Sequence, residues 1–157
     1  MTETTFAGLP EKGFILVIFA DKAELGSALE SLGIGKVEKK EGGEPYLPDS
    51  PYFISFSHKD NVAVAAVSDN RVGVDVENVT VPRNVQRLSR LFDVSEVPDS
   101  LYEFYRLWTS KEAMGKLAGT GITFDVLKKK TTDVRHLDYG DYVIGVAGKG
   151  EITLKVF

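Results

Sequence analysis

Asp75 and Glu77 stand two residues apart in the stretch "RVGVDVEN", residues 71–78. If this is a strand, alternate side chains share a face. Val72, Val74 and Val76 then line one side, and Gly73, Asp75 and Glu77 line the other. No basic residue lies between the two carboxylates, so they repel unless a cation is supplied or one is protonated. Mg²⁺ prefers hard oxygen ligands, a few carboxylates together with water and substrate phosphates. A third carboxylate, Glu112, sits in "SLYEFYRLWTSKEAMGKLAG", residues 100–119. At helical spacing it falls on one arc with Leu101, Phe104, Tyr105, Trp108, Gly115 and Lys116. A carboxylate inside an apolar arc needs a partner. Lys116 four residues on provides an ordinary helix ion pair. A divalent site shared by Asp75, Glu77 and Glu112 is the other reading, and a solvated strand face is the alternative for the first two. His58 closes an apolar run after Ser57, where it either makes a local hydrogen bond or donates to an anionic ligand. The second histidine, His136, has no such context and reads as surface.

These side chains need elements to hold them. "FILVIFA" (14–20) is an apolar run of strand length. Asp21 and Glu24 then read as an N-terminal cap for a helix carrying Leu25, Ala28, Leu29 and Leu32 and ending at Gly33. The Gly-, Pro- and charge-rich segment 35–51 reads as loop. Tyr52 to His58, Val62 to Ser68 and 71–78 read as three antiparallel strands joined by the short turns "KDN" and "DNR". Thr80 opens a helix through "VPRNVQRLSRLF". Ser100 with Glu103 opens a longer one to about Leu117, which "GTG" breaks. Strand-like segments follow near Lys129 to Val134, Tyr142 to Ala147 and Ile152 to Val156. A helix and a three-stranded meander thus occur twice. The expected class is α+β, with two similar lobes in one domain spanning 1–157. Each lobe is a helix on a three-stranded antiparallel sheet, the first over about 13–79 and the second over about 80–157.

A chain of 157 residues, 43% hydrophobic and 27% charged, has an ordinary globular composition. It can bury about two-thirds of its unfolded surface. With no cysteine it forms neither disulfides nor a thiolate zinc site. The net charge of −4 argues against nucleic acid as a partner. No apolar run approaches a membrane span, so no membrane association is expected. "MTETTFAGLPEKG" lacks the pattern of a secretory leader, and a cytoplasmic location is the expectation. The basic run Lys128 to Lys130 reads as a solvated turn or edge strand, with phosphate binding as the lesser reading.

Taken together, the motifs resemble those of the 4′-phosphopantetheinyl transferases. "ISFSHKDNVAVAAVSDNRVGVDVE" is similar to that family's strand ending in Ser-His, followed by a turn, an apolar strand and Gly-x-Asp-x-Glu. "FYRLWTSKEAMGKLAGTGI" resembles its second pattern, Trp-Ser/Thr-x-Lys-Glu-Ala-x-x-Lys, before a Gly-x-Gly break. "RLFDVSEV" between them resembles its helix-end segment. The resemblance covers about Glu44 to Phe157. It is nearest to the surfactin-type branch, whose members fold as two similar α+β lobes, here with a shortened first lobe. It implies an enzyme that moves the phosphopantetheine arm of coenzyme A onto a serine of an acyl or peptidyl carrier protein, releasing 3′,5′-ADP. It further implies that Asp75, Glu77 and Glu112 hold Mg²⁺ and that Glu112 takes the serine proton. By the same match Lys116 contacts the phosphates and favours departure of the leaving group, and Ser57 and His58 bind coenzyme A.

The chain departs from that pattern in "GGEPYLP". Glu44 stands where a lysine is expected, and a carboxylate there repels a coenzyme A phosphate. Basic residues are also sparse upstream, with only Lys22 before the Lys36 to Lys40 loop. A non-catalytic relative that binds a carrier protein, and a Mg²⁺-dependent enzyme acting on another nucleotide, therefore stand as alternatives. Arg83, Arg87, Arg90 and Leu91 recur at helical spacing, either as a solvated face or as a dock for an acidic carrier protein. The expected state is a monomer or a weak homodimer.

Overall fold

The computed structural model describes residues 12–157. The reading of the N-terminus as lacking a leader falls mainly on residues 1–11, outside the described residues. Nine strands and four helices follow in order: β1 (Phe14–Asp21), α1 (Leu25–Ser31), β2 (Glu38–Lys39), β3 (Pro45–Tyr46), β4 (Phe53–Lys59), β5 (Val62–Ser68), β6 (Gly73–Asn78), α2 (Val85–Ser89), α3 (Leu101–Ala118), α4 (Phe124–Lys128), β7 (Val134–Tyr139), β8 (Tyr142–Ala147) and β9 (Glu151–Val156). The mixed α+β class is as expected. None of these helices is long and apolar enough to cross a membrane.

The chain separates into two units, 12–72 with 148–157, and 73–147. In the first, four strands run in the order β4-β5-β1-β9. β1 is antiparallel to β5, with Val17 opposite Ala66, and parallel to β9, with Val17 opposite Leu154. Being central and buried from Phe14 to Ala20, β1 reads as a continuous apolar run instead of alternating. Phe14, Leu16 and Ile18 pack with Ala28 and Leu29 of α1 and with Ile54 and Val67 of the neighbouring strands. Asp21 is not the cap of α1. It still belongs to β1, opposite Val62, and the helix starts after Glu24 without a side-chain cap.

The second unit is a three-stranded antiparallel sheet in the order β6-β8-β7, with α3 packed on it. Phe104 and Tyr105 of α3 meet Phe92, Leu127 and Val143 in its core. Ser100 caps α3 as expected, its hydroxyl accepting the Glu103 N–H at 3.1 Å, and Gly119 closes it with a left-handed φ of 78°.

Several expectations are corrected by this topology. The strand bearing Asp75 does not extend the meander of β4 and β5. A strand has two edges, and those of β5 are occupied by β4 and β1. β9 likewise leaves the second sheet for the first, because β8 is flanked by β6 and β7. The first sheet therefore has four strands and one parallel pair, not three antiparallel strands. The break between units falls at Val72 and at Gly148, not near 79–80. The strand expected at 129–134 is displaced to 134–139. Thr123 accepts the Val126 N–H at 3.2 Å and winds 124–128 into the short α4. The helix expected from Thr80 shrinks to α2, because Asn78 captures the Thr80 N–H in a turn and Asn84 supplies the cap.

Candidate active site

Glycines decide where α3 meets the sheet. A Cβ on Gly73 would lie 1.9 Å from the Ala113 carbonyl oxygen, and one on Gly145 2.8 Å from that of Thr109. Only glycine lets the helix backbone approach so closely. Gly73, Asp75 and Glu77 share a face, so the two carboxylates lie on the side of the sheet that α3 covers. They are only 6% and 9% exposed, which rules out the solvated strand face.

The helix answers with one cation and one more carboxylate. Lys116 Nζ donates to the Val74 carbonyl at 2.9 Å and stands 3.5 Å from Asp75 Oδ1. The expected pairing of Lys116 with Glu112 is thus not its whole role, since its ammonium reaches across to β6. Glu112 is half-buried. Burial raises the pKa of its carboxyl; Lys116 opposes the rise, Glu77 adds to it and Arg83 opposes it. Tyr105, whose hydroxyl donates to the Val81 carbonyl at 2.5 Å, is raised by burial and by Glu77, with Arg83 offsetting part of the rise. Asp75, Glu77, Glu112 and Lys116 are therefore gathered in one unit. Arg83 and Tyr105 join them electrostatically, which the sequence reading missed. Its one available signal was the proximity of an arginine to an aromatic arc.

A second buried charge pair lies further along α3. Lys111 is fully buried and hydrogen-bonds the Glu96 carboxylate and the Lys129 carbonyl. Its Nζ is 5.5 Å from the Phe92 ring centroid. Glu96 also accepts the Thr131 N–H at 3.0 Å. Burial would raise the pKa of Glu96, but these hydrogen bonds outweigh it and hold the group below the usual carboxylate range.

Ser57 and His58 lie on β4 of the other unit, half-buried and exposed respectively. In the same unit Glu44 is held by Arg71 Nη2 at 2.9 Å and by Lys40 at 4.0 Å. All three line a cavity of about 230 Å³ with Tyr46 and Tyr52. The repulsion expected of Glu44 is therefore offset by two cations. His136 is not simply surface. Its Nε2 lies 2.9 Å from the Arg106 carbonyl and 3.0 Å from Ser110 Oγ.

Comparison with known proteins shows what the chain is similar to. No family model matches the chain. It is 33% identical over 96 residues to 4′-phosphopantetheinyl transferase psf-1 of Bacillus pumilus, covering 55% of this chain and 41% of that protein. It is 30% identical over 93 residues to 4′-phosphopantetheinyl transferase Sfp of Bacillus subtilis, covering 54% and 41%. To 4′-phosphopantetheinyl transferase HetI of Nostoc it is 31% identical over 101 residues, covering 55% and 43%. The chain is similar to curated 4′-phosphopantetheinyl transferases over about half of its length. Its similarity spans less than half the length of these curated relatives.

Within a phosphopantetheinyl transferase frame the carboxylates invite a metal. Carboxylate oxygens are the donors Mg²⁺ takes, and Asp75 and Glu77 present two from one face. The fit is one of donor chemistry only. Among the described residues no three His, Cys, Asp or Glu side chains are gathered closely enough to hold an ion, and the Lys116 ammonium stands beside Asp75.

Proposed function

We propose that this chain transfers the 4′-phosphopantetheine arm of coenzyme A to a serine of an acyl or peptidyl carrier protein. The observation that carries the reading is the burial of Asp75 and Glu77 beneath the helix that bears Glu112 and Lys116, in a chain similar to proteins of that name. The serine oxygen forms a bond to the phosphorus of the arm, and the bond from that phosphorus to the departing 3′,5′-ADP breaks. Glu112 takes the serine proton, a role suited to a carboxylate whose proton affinity burial has raised. Lys116 neutralises charge on the phosphates as the leaving group departs. By their match to the family's Ser-His pattern, Ser57 and His58 are the further residues proposed to contact coenzyme A. Asp75, Glu77 and Glu112 would hold Mg²⁺, which when bound masks phosphate charge and orients the group. On the protein side, Arg87 and Arg90 are exposed on and just after α2 and suit an acidic carrier.

The test is incubation with coenzyme A, Mg²⁺ and a panel of apo carrier proteins, read by mass spectrometry. The expected result is a mass gain of one phosphopantetheine on a carrier serine. No gain on any carrier overturns the reading. Carrier binding that needs no metal and survives Glu112→Ala would instead support a non-catalytic carrier-binding relative. A gain of stability with other nucleotides but not with coenzyme A or 3′,5′-ADP would support the reading as an enzyme of another nucleotide. Reversing the charge of Arg87 and Arg90 should slow transfer several-fold, more at low salt, and leave coenzyme A binding unchanged.

A further inference from the structure

Arg83 is the one arginine that the sequence pattern grouped with the docking stripe and the fold removes from it. It precedes α2, whose cap is Asn84. The loop leading to it is pinned at three places. Asn78 Oδ1 accepts the Thr80 N–H at 2.9 Å, the Asp141 carbonyl accepts the Val79 N–H at 2.8 Å, and Tyr105 donates to the Val81 carbonyl. From this fixed base the guanidinium turns onto α3. Its Cζ lies 5.2 Å from the Trp108 ring centroid and 5.9 Å from that of Phe104, both within cation–π range. Trp108 is one helical turn before Glu112, so the cation sits next to the carboxylate site. Its charge reaches Glu112 and Tyr105. None of the ion pairs among the described residues uses it.

We propose that Arg83 is a phosphate-binding residue of the transfer site, presenting its planar fork to the pyrophosphate of the nucleotide substrate. The inference rests on the reading of the site given above and deepens it. The rings lie under the cation and the Tyr105 hydroxyl hydrogen-bonds to it, which leaves the rest of its N–H edge for contact with a phosphate. Two aromatic rings and a pinned loop fix the side chain beforehand, so little rotamer freedom is lost when an anion arrives. A carrier-docking arginine needs none of this. It needs exposure, which Arg87 and Arg90 have and Arg83, half-buried, does not. The arrangement also explains why a site with three carboxylates could accept an anionic nucleotide. Lys116 stands beside Asp75, and Arg83 adds a second cation whose charge reaches Glu112.

The experiment compares the wild-type chain with Arg83→Gln and Arg83→Lys. Transfer kinetics are measured with coenzyme A and carrier varied separately. Calorimetric titrations use coenzyme A and inorganic pyrophosphate, and thermal unfolding is recorded for each variant. The expected result for Arg83→Gln is at least a tenfold rise in KM for coenzyme A and a matching loss of pyrophosphate affinity, with KM for the carrier unchanged. Arg83→Lys, which keeps the charge but not the fork, should recover stability while recovering affinity only in part. Unchanged coenzyme A KM and pyrophosphate affinity in Arg83→Gln would overturn the proposal. So would a rise in carrier KM alone, or an affinity that returns fully in Arg83→Lys together with the unfolding temperature. If the wild-type chain modifies no carrier, the transfer reading fails on that result. The titrations still decide Arg83: Arg83-dependent pyrophosphate binding supports its role, and binding that is absent or independent of Arg83 overturns it.

Discussion

Glu112 is the residue on which the proposed chemistry turns. It is half-buried on α3, with Lys116 pulling its proton affinity down and burial together with Glu77 pushing it up. Glu112→Gln keeps the shape and removes the base. Transfer should fall by about 10²- to 10⁴-fold, read as the rate of mass gain on the carrier, while the variant keeps its fold and its carrier affinity. A rate within about threefold of wild type would move the proton acceptor elsewhere. Asp75 differs, because its 3.5 Å contact with Lys116 makes it structural as well. Loss of Asp75 strands a cation at the interface of helix and sheet, so its effects on activity must be read beside its stability.

At the scale of elements, α3 lies on β6 and β8 because two glycines allow it. Gly73→Ala forces a Cβ into the Ala113 carbonyl and should destabilise the second unit by about 3 kcal/mol, measured by urea denaturation. A cost under about 0.5 kcal/mol would mean that the helix can shift freely, and that the carboxylates beneath it are not held. The helix is also tied by Lys111 and Glu96, both buried. Breaking that pair with Lys111→Met leaves an uncompensated buried carboxylate and should cost about 3–5 kcal/mol, part of which Lys111→Met with Glu96→Leu recovers. The pH dependence follows from the sign of the shift. Glu96 is held below its ordinary pKa in the fold, so its stabilisation is full above the unfolded carboxylate pKa. That stabilisation is lost as pH falls through the depressed folded value. Acid titration of the unfolding midpoint should lose this component in Glu96→Gln. This level was only partly legible beforehand. The Ser100 cap, the extent of α3 and the apolar β1 could be read from local pattern. The short α4 hid behind a lysine run that resembled a strand edge, although Thr123 was a readable cap.

For the molecule as a whole, the chain leaves its first unit at Val72 and returns to it at Gly148. The last strand therefore completes the first sheet, pairing parallel with β1. Removing residues 150–157 should strip one edge from β1. Hydrogen exchange should then show loss of protection along 14–20 and retained protection in β6 and β8. Equal loss in both units would show that they unfold as one. The Asp-x-Glu strand, the Trp-to-Lys helix motif, their order and the α+β class were all determined by the sequence itself. Residue type and the periods of 2 and 3.6 are local properties, and they survive any rearrangement of the strands. Tertiary structure alone decided which strands pair, that Asp75 and Glu77 are buried beneath α3, that Lys116 reaches β6 and that the Arg83 cation lies over Trp108. Those outcomes depend on which sheet edges remain open and how closely two backbones approach, and neither is encoded in the spacing of any one segment.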